Sequence, residues 1–289
     1  MTAFPYRQRG PLYYAWRRFV ANKAAVVSGL VLLTLILMAL AAQVITRTSY
    51  DDQAFLTQAY AGPSAEFWFG VDDLGRDFFS RIVYGGRISL TIGFSAALFS
   101  VLIGIPLGAA AGYYGGRVDW AVMRLIELFS VVPSLLAAML LGALTGGGFF
   151  TIVLIAALFG WVQVCLLVRA QVKAVREKEF IRAARALGAS PGYIIWRHLI
   201  PNSVSPIIVG FVLAIPLAMM LEASLSFLGI GVPPPLPSWG QMINVGMNFM
   251  YFYWHMAVFP TAALAITVLA TTLFGDGLRD ALDPTLKGG

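Results

Sequence analysis

Residues 198–275 contain one formally charged side chain, Glu222, and residues 128–168 contain none. A water-soluble fold has too little interior to bury uncharged runs of that length. A bilayer core about 30 Å thick takes up about 20 apolar residues as one helix. Inside lipid every backbone N–H and C=O must be satisfied within the segment, so such runs predict helices. Composition agrees, with 59% hydrophobic and 12% charged residues; soluble domains carry about twice that charged share.

Breaker residues divide the runs. Residues 24–45 and 88–116 are uncharged and long enough to span. The 128–168 run is too long for one helix, and Thr145, Gly146, Gly147 and Gly148 split it into spans near 120–143 and 149–168. Pro233, Pro234, Pro235 and Pro237 cannot be helical, which gives further spans near 205–228 and 254–275. The expected fold is an all-α integral membrane protein with six transmembrane helices. It comprises an N-terminal segment 1–23, a first helix 24–45, a loop 46–87, a core 88–275 and a tail 276–289.

Lys and Arg set the orientation, because they accumulate on the cytoplasmic side. Arg7, Arg9, Arg17, Arg18 and Lys23 precede the first span, and seven more basic residues lie between Arg169 and Arg197. Both termini are therefore expected inside. The loop 46–87 is then external despite Arg47, Arg76, Arg81 and Arg87, which makes it the weakest fit to the rule. The net charge of +6 is explained by this topology and not by a nucleic-acid stripe. A cleavable signal peptide ending at Ala39-Leu40-Ala41 would leave five spans; its apolar run is longer than a usual signal core, so an uncleaved first span is expected. Cys165, the only cysteine, sits in an apolar run and reads as a small buried hydrophobe.

Segment 171–202 carries the most information. Residues 179–187 have strong helix formers with apolar residues three and four apart, and Gly188 suits a helix C-terminus. Ser190 then offers an N-cap with Pro191 at the first helical position, and a second short helix carries Tyr193, Ile194, Ile195, Trp196 and Leu199, ending before Pro201. This predicts a helix-turn-helix on the inner membrane face with exposed apolar residues on a basic background. Such a hairpin serves either anionic lipid or a soluble partner that takes a helix into a groove.

The loop resembles the EAA loop of ABC importer permeases, whose pattern is Glu-Ala-Ala, three residues, Gly, nine residues, Ile-x-Leu-Pro. Ala183, Ala184, Gly188 and Pro201 fall at matching spacings, and Ala189, Ser190, Pro191 and Ile195 lie between them. Arg182 replaces the motif Glu, His198 the Ile and Ile200 the Leu; Glu179, one turn earlier, is a substitute acid. Two further segments resemble dipeptide and oligopeptide permeases in order along the chain. One is 69–77 with Asp72, Asp73, Arg76 and Asp77, followed by Ser80-Arg81 and 86–90; the other is 222–229 with Pro237-Ser238-Trp239-Gly240. The chain is thus identified as similar to the C-type permease of the dipeptide/oligopeptide/nickel importer family.

The resemblance implies a type I ABC importer transmembrane fold in a prokaryotic cytoplasmic membrane, working as a heterodimer with a second permease. It implies two ATPases gripping the EAA loop through Glu179, Arg182 and the motif residues, and an extracytoplasmic solute-binding protein delivering peptides or related small solutes. It implies no cofactor on this chain, with ATP and Mg2+ on the ATPases. The residues agree on one point: none of the four lysines follows a glycine, so there is no Gly-x-x-x-x-Gly-Lys-Ser/Thr loop. Two rival classes are weaker. An ion-coupled secondary transporter would be expected to show inverted repeats and buried coupling acids, and an intramembrane enzyme lacks His-Glu-x-x-His and Gly-x-Ser-x-Gly motifs.

Other residues invite roles. Gly104, Gly108 and Gly112 suit close approach of a neighbouring subunit or internal packing equally, and Pro106, Pro133 and Pro216 are expected to kink their spans. Glu127 lines a pathway or pairs with Arg124 one turn back, the latter slightly favoured. Glu222, with Ser226 in the same motif, is expected at a pathway or subunit interface. His255 reads as an interfacial histidine, and Trp239, Tyr251, Tyr253 and Trp254 as an aromatic belt. Asp72, Asp73, Arg76, Asp77 and Trp239 are also candidates for a surface that docks the binding protein; the acids lack the calcium-loop spacing.

Overall fold

A computed structural model of the chain describes residues 11–282, so Arg7 and Arg9 of the basic N-terminal segment and residues 283–289 of the tail lie outside the described part. The described chain is almost wholly helical. Helix α1 (Pro11–Ala21) leads into α2 (Lys23–Leu40), whose N-cap Asn22 accepts from the Ala25 N–H at 3.2 Å. A break at Ala41 separates the short α3 (Ala42–Ile45), and Arg87 donates to the Ala39 and Leu40 carbonyls at 3.0 and 2.9 Å. That placement sets a cation at a helix C-terminus, where orphan carbonyls and the negative end of the dipole lie.

Helix α4 (Phe78–Tyr114) starts ten residues before the expected 88, because Asp77 caps it by accepting from Ser80 N and Ser80 Oγ at 2.9 and 2.6 Å. Its 37 residues reach about 55 Å at 1.5 Å per residue, so the first turns stand clear of a bilayer. Helix α7 (Phe149–Arg176) runs beside it as the most extensive helix pair. A Cβ on Gly108 would lie 2.5 Å from the Cys165 carbonyl oxygen, and Gly104 and Gly112 meet Val164 and Val172 in the same way. The glycine stripe therefore serves packing within this chain. The pairing is parallel, 104 with 164 and 112 with 172, so the segment between the two helices must return across the bundle.

That return is bent. Helix α5 (Gly116–Val131) and α6 (Ser134–Thr145) meet at Pro133 at 79°. Pro106 and Pro216 lie inside helices that stay continuous, so of the three expected kinks only that at Pro133 breaks its span. After α6, Gly146, Gly147 and Gly148 all take positive φ, 80°, 71° and 96°, a backbone that side chains disfavour; the turn leads directly into α7.

Helices α8 (Glu179–Ala186) and α9 (Pro191–Ile194), then a π-helical stretch Ile195–Leu199, lead to α10 (Val204–Phe227). Helix α11 (Trp239–Phe249) crosses the opposite end, and α12 (His255–Leu282) returns antiparallel to α2 and α10, seven residues past the expected 275. Ser205 Oγ donates to the Leu282 carbonyl at 3.3 Å, and Phe19 meets Phe274 edge to face. The first and last described helices and the α8–α9 hairpin thus share one end of the bundle. Among the described residues five helices are long and apolar enough to cross a membrane, or six when the bent α5–α6 pair counts as one span.

Candidate functional site

The hairpin grows out of α7, which continues past residue 168 because its last turns find partners. Asp119, at the start of α5, accepts from Arg169 Nε and Nη2 and from Lys173 Nζ, the last at 2.7 Å. Arg176 Nη1 donates to the Tyr113 carbonyl at 3.1 Å, and Arg185 lies over the Tyr113 ring at 5.0 Å. Ile181, Ile194 and Leu199 are fully buried with Ala109, Val164, Val168, Val172 and Val175. Three apolar anchors, one from each element of the hairpin, therefore fix it on the ends of α4 and α7.

The opposite face of the hairpin is open. Leu187 is 88% exposed and Trp196 66%, with Tyr193 and Phe180 about half exposed. The turn between the helices is closed by Leu187 N–H to the Ala183 carbonyl (3.0 Å) and Ala189 N–H to the Ala184 carbonyl (3.1 Å). Gly188 takes φ +82° there, and a Cβ at this position would meet nothing within 4 Å, so backbone conformation alone demands glycine. Ser190 caps α9 by accepting from Tyr193 N–H at 3.3 Å, with Pro191 next, as expected. Pro201 is exposed and Ile195 half-buried against the anchor cluster.

Arg182 points back to Glu177 at 3.6 Å, and Glu177 also pairs with Arg176 at 2.9 Å; the Arg176 hydrogen bond first, with the Arg176 and Arg182 charges, holds its carboxyl below the usual range. Glu179 is exposed in the first turn of α8, where its charge complements the helix dipole. The acid beside Arg182 is thus Glu177, which spacing arguments passed over. Asp119 was also missed; its Asp-to-Arg spacing of 50 residues gives no local signal.

At the other end the expected docking residues turn inward. Asp72 Oδ1 accepts from the Leu74 and Arg76 N–H groups, both at 2.9 Å, and Oδ2 meets Arg76 Nε at 2.6 Å and Arg81 Nε at 3.4 Å. Asp72, Arg76 and Asp77 are buried, holding the loop 46–77 to the start of α4 with their own charges turned inward. Asp73 is partly exposed, 3.7 Å from Arg76, and burial together with the Asp72 charge pushes its carboxyl up. Trp239 is buried too, its indole N–H donating to the Ile82 carbonyl at 2.9 Å, so it belongs to neither a belt nor a docking face. His255, expected at an interface, is buried edge-on to Phe78 with Nε2 3.4 Å from the Val71 carbonyl. Tyr251 and Trp254 are exposed, whereas Tyr253 stacks on Tyr60.

Glu222 is fully buried. Oε1 accepts from Ser226 Oγ and Ser238 Oγ, both at 2.7 Å, and Oε2 lies 3.4 Å from Ser89 Oγ. Ser89 in turn accepts the Trp239 N–H at 3.1 Å, and Ser238 caps α11. Three hydroxyl donors and a helix N-terminus satisfy a carboxylate that would otherwise be costly to bury. Glu222 and Ser226 therefore knot α4, α10 and α11 together, Glu222 fully closed off and Ser226 also bordering the adjoining cavity. Beside the knot, a cavity of about 480 Å³ lies between α6, α10 and α11, bordered by Gly142, Gly147, Ile230, Gln241 and Asn244. Glu127 is paired with Arg124 at 2.6 Å, the favoured expectation.

An apolar bundle with one basic hairpin raised from its end defines a multi-pass helical membrane protein. Residues 104–288 match the family described as binding-protein-dependent transport system inner membrane component, and residues 10–63 match the N-terminal transmembrane domain of oligopeptide transport permease C. The chain belongs to this family of ABC importer permeases. It is 42% identical to the glutathione transport system permease protein GsiD of Pectobacterium atrosepticum, over 96% of this chain and 93% of that protein. It is 40% identical to the oligopeptide permease OppC and 42% to the dipeptide permease DppC of Bacillus subtilis, each over 94% of this chain and 89% and 85% of theirs. Among solved structures, the inward-facing MetNI methionine ABC transporter shares the fold, with a TM-score of 0.56 at 19% identity over 71% of this chain and 97% of the solved chain.

Proposed function

We propose that this permease joins a second permease to form the route for di- or oligopeptides or related small solutes, and that two ATPases drive it by gripping the α8–α9 hairpin. The observation that carries this reading is the hairpin itself, fixed to α4 and α7 by Ile181, Ile194 and Leu199 while Leu187, Trp196, Tyr193 and Phe180 stay open. Docked there, closure of the ATPase pair pushes on α7 and, through Asp119, on α5. The hairpin end, and with it both termini, faces the cytoplasm, and ATP and Mg2+ sit on the ATPases. The opposite end, with loop 46–77 and α11, faces a solute-binding protein. There the docking surface is built from exposed side chains such as Trp68 and Tyr251 around the buried Asp72–Arg76 frame.

Affinity purification from native membranes in mild detergent, followed by mass spectrometry, tests this. A second permease and one or two P-loop ATPases are expected to co-elute. A chain that comes out alone and still moves solute down an ion gradient in ATP-free vesicles would overturn it.

A further inference from the structure

Arg124 and Glu127 form an ion pair at 2.6 Å with about half of each side chain uncovered, 57% and 48%. Their height in the bundle follows from their neighbours. Val122 and Ile126, on the other face of α5, are buried against Trp161, Val162 and Cys165 of α7. Those α7 residues stand 12–16 positions from its first residue, Phe149, roughly 18–24 Å along the axis, which is within the depth of a hydrocarbon core about 30 Å thick. The surrounding face is apolar and open: Leu125, Leu128, Val131 and Leu136 are all exposed. Ionised side chains at that depth face a protein interior or a water-filled route, since acyl chains offer them nothing.

We propose that this pair borders the solute route and reads the two charges of a dipolar solute, exchanging its internal bond for bonds to the solute's carboxylate and ammonium. The inference rests on the importer reading above and adds the chemistry of the contact. The guanidinium is a planar fork suited to a carboxylate, and the Trp120 ring, itself exposed, lies 5.7 Å from it and holds it by a cation–π contact. Glu127, three residues on, offers two acceptor oxygens to an ammonium. In the resting chain each neutralises the other, so the open route carries no unpaired charge. A solute with both charges replaces both partners at once, whereas a solute with one blocked terminus leaves one of the pair without a counter-charge.

The test uses the whole reconstituted complex. Because Cys165 is the sole cysteine and is buried, Cys165→Ala gives a clean background for Glu127→Cys. A water-soluble cationic methanethiosulfonate should label position 127 in the nucleotide-free or the ATP-trapped state, and a saturating free tripeptide should slow the labelling. In parallel, Glu127→Gln should raise KM about tenfold or more for a tripeptide with a free amine and lower it for the N-acetylated form, which no longer strands an acid when it takes Arg124. Arg124→Gln should do the same for the free carboxylate against the C-terminal amide. No labelling in either state would place the pair against lipid or the second permease and overturn the proposal, as would equal losses for free and blocked peptides. A wild-type complex that moves no peptide defeats the substrate assignment instead, and the labelling still decides whether the pair meets water.

Discussion

Removing the Asp72 carboxylate gives a local opening whose size can be worked from the contacts. Asp72→Ala deletes the acceptor for two backbone N–H groups at 2.9 Å and the counter-charge of Arg76 at 2.6 Å and Arg81 at 3.4 Å. Breaking a buried pair by removing one partner costs about 3–5 kcal/mol, and each factor of ten in population is about 1.4 kcal/mol. Arg81 keeps the Tyr50 carbonyl at 2.9 Å and Arg76 keeps Asp73 at 3.7 Å, so the lower figure applies. The open population of the loop should therefore rise about 10²-fold. Both arginines are buried in the closed loop, which makes them trypsin sites only on opening. At protease concentrations where the rate is linear in protease, cleavage follows that population. Mass spectrometry of the detergent-solubilised chain should show cleavage after Arg76 and Arg81 accelerated accordingly, with Asp52→Ala, on the exposed start of the loop, unchanged. Cleavage of Asp72→Ala within about threefold of wild type would refute the view that this carboxylate holds the loop shut.

Three more outcomes follow from the geometry. Gly188→Val forces a β-branched residue to φ +82°, at a cost of about 1–2 kcal/mol. It should leave membrane insertion intact and uncouple ATP hydrolysis from uptake, with Gly188→Asn milder; normal uptake by the Val variant would argue against the hairpin as the coupling element. Gly108→Leu places atoms where the Cys165 carbonyl lies 2.5 Å from Cβ and should destabilise by about 1–3 kcal/mol or more, read as a lower thermal midpoint in detergent; an unchanged midpoint would contradict the α4–α7 packing. For Asp73, burial first and the Asp72 charge second raise the native carboxyl above 3.8. The folded loop then binds the proton more tightly, so that contribution is fully present below 3.8 and is lost as pH rises through the raised native value. Asp73→Asn should make loop opening less pH-dependent in the tryptic assay, and an identical pH profile would discount the burial of this group.

The hairpin was legible because its signals are local. Gly188 at a C-terminus, Ser190 at an N-cap and Pro191 at N1 each act within one helical turn, and all three stand where their spacing places them. The Arg124–Glu127 pair was legible for the same reason, being three residues apart. The knot around Glu222 was only partly so. Ser226 is one turn away and visible, but Ser89 and Ser238 arrive from 133 and 16 residues distant, and the tertiary packing of α4 and α11 brings them in. That Asp72, Arg76, Asp77 and Trp239 near the far end are buried was not legible, because exposure depends on packing: the sequence 72–77 folds back on itself around Asp72 and uses most of its charges internally.

The solvent, the helices and their number follow from the order of residues alone, because uncharged run length against bilayer thickness and the placement of Gly and Pro are one-dimensional quantities. Short motifs in a set order carry the family in the same way. Which faces are covered is a matter of packing in three dimensions. Packing made the Gly104–Gly112 stripe an internal seam, bent the third span by 79° at Pro133, closed Glu222 off behind three serines and left Arg124 and Glu127 in the open. Burial and ion pairing depend on distances between residues far apart in the chain, which helical periodicity constrains only to a face and never to a neighbour.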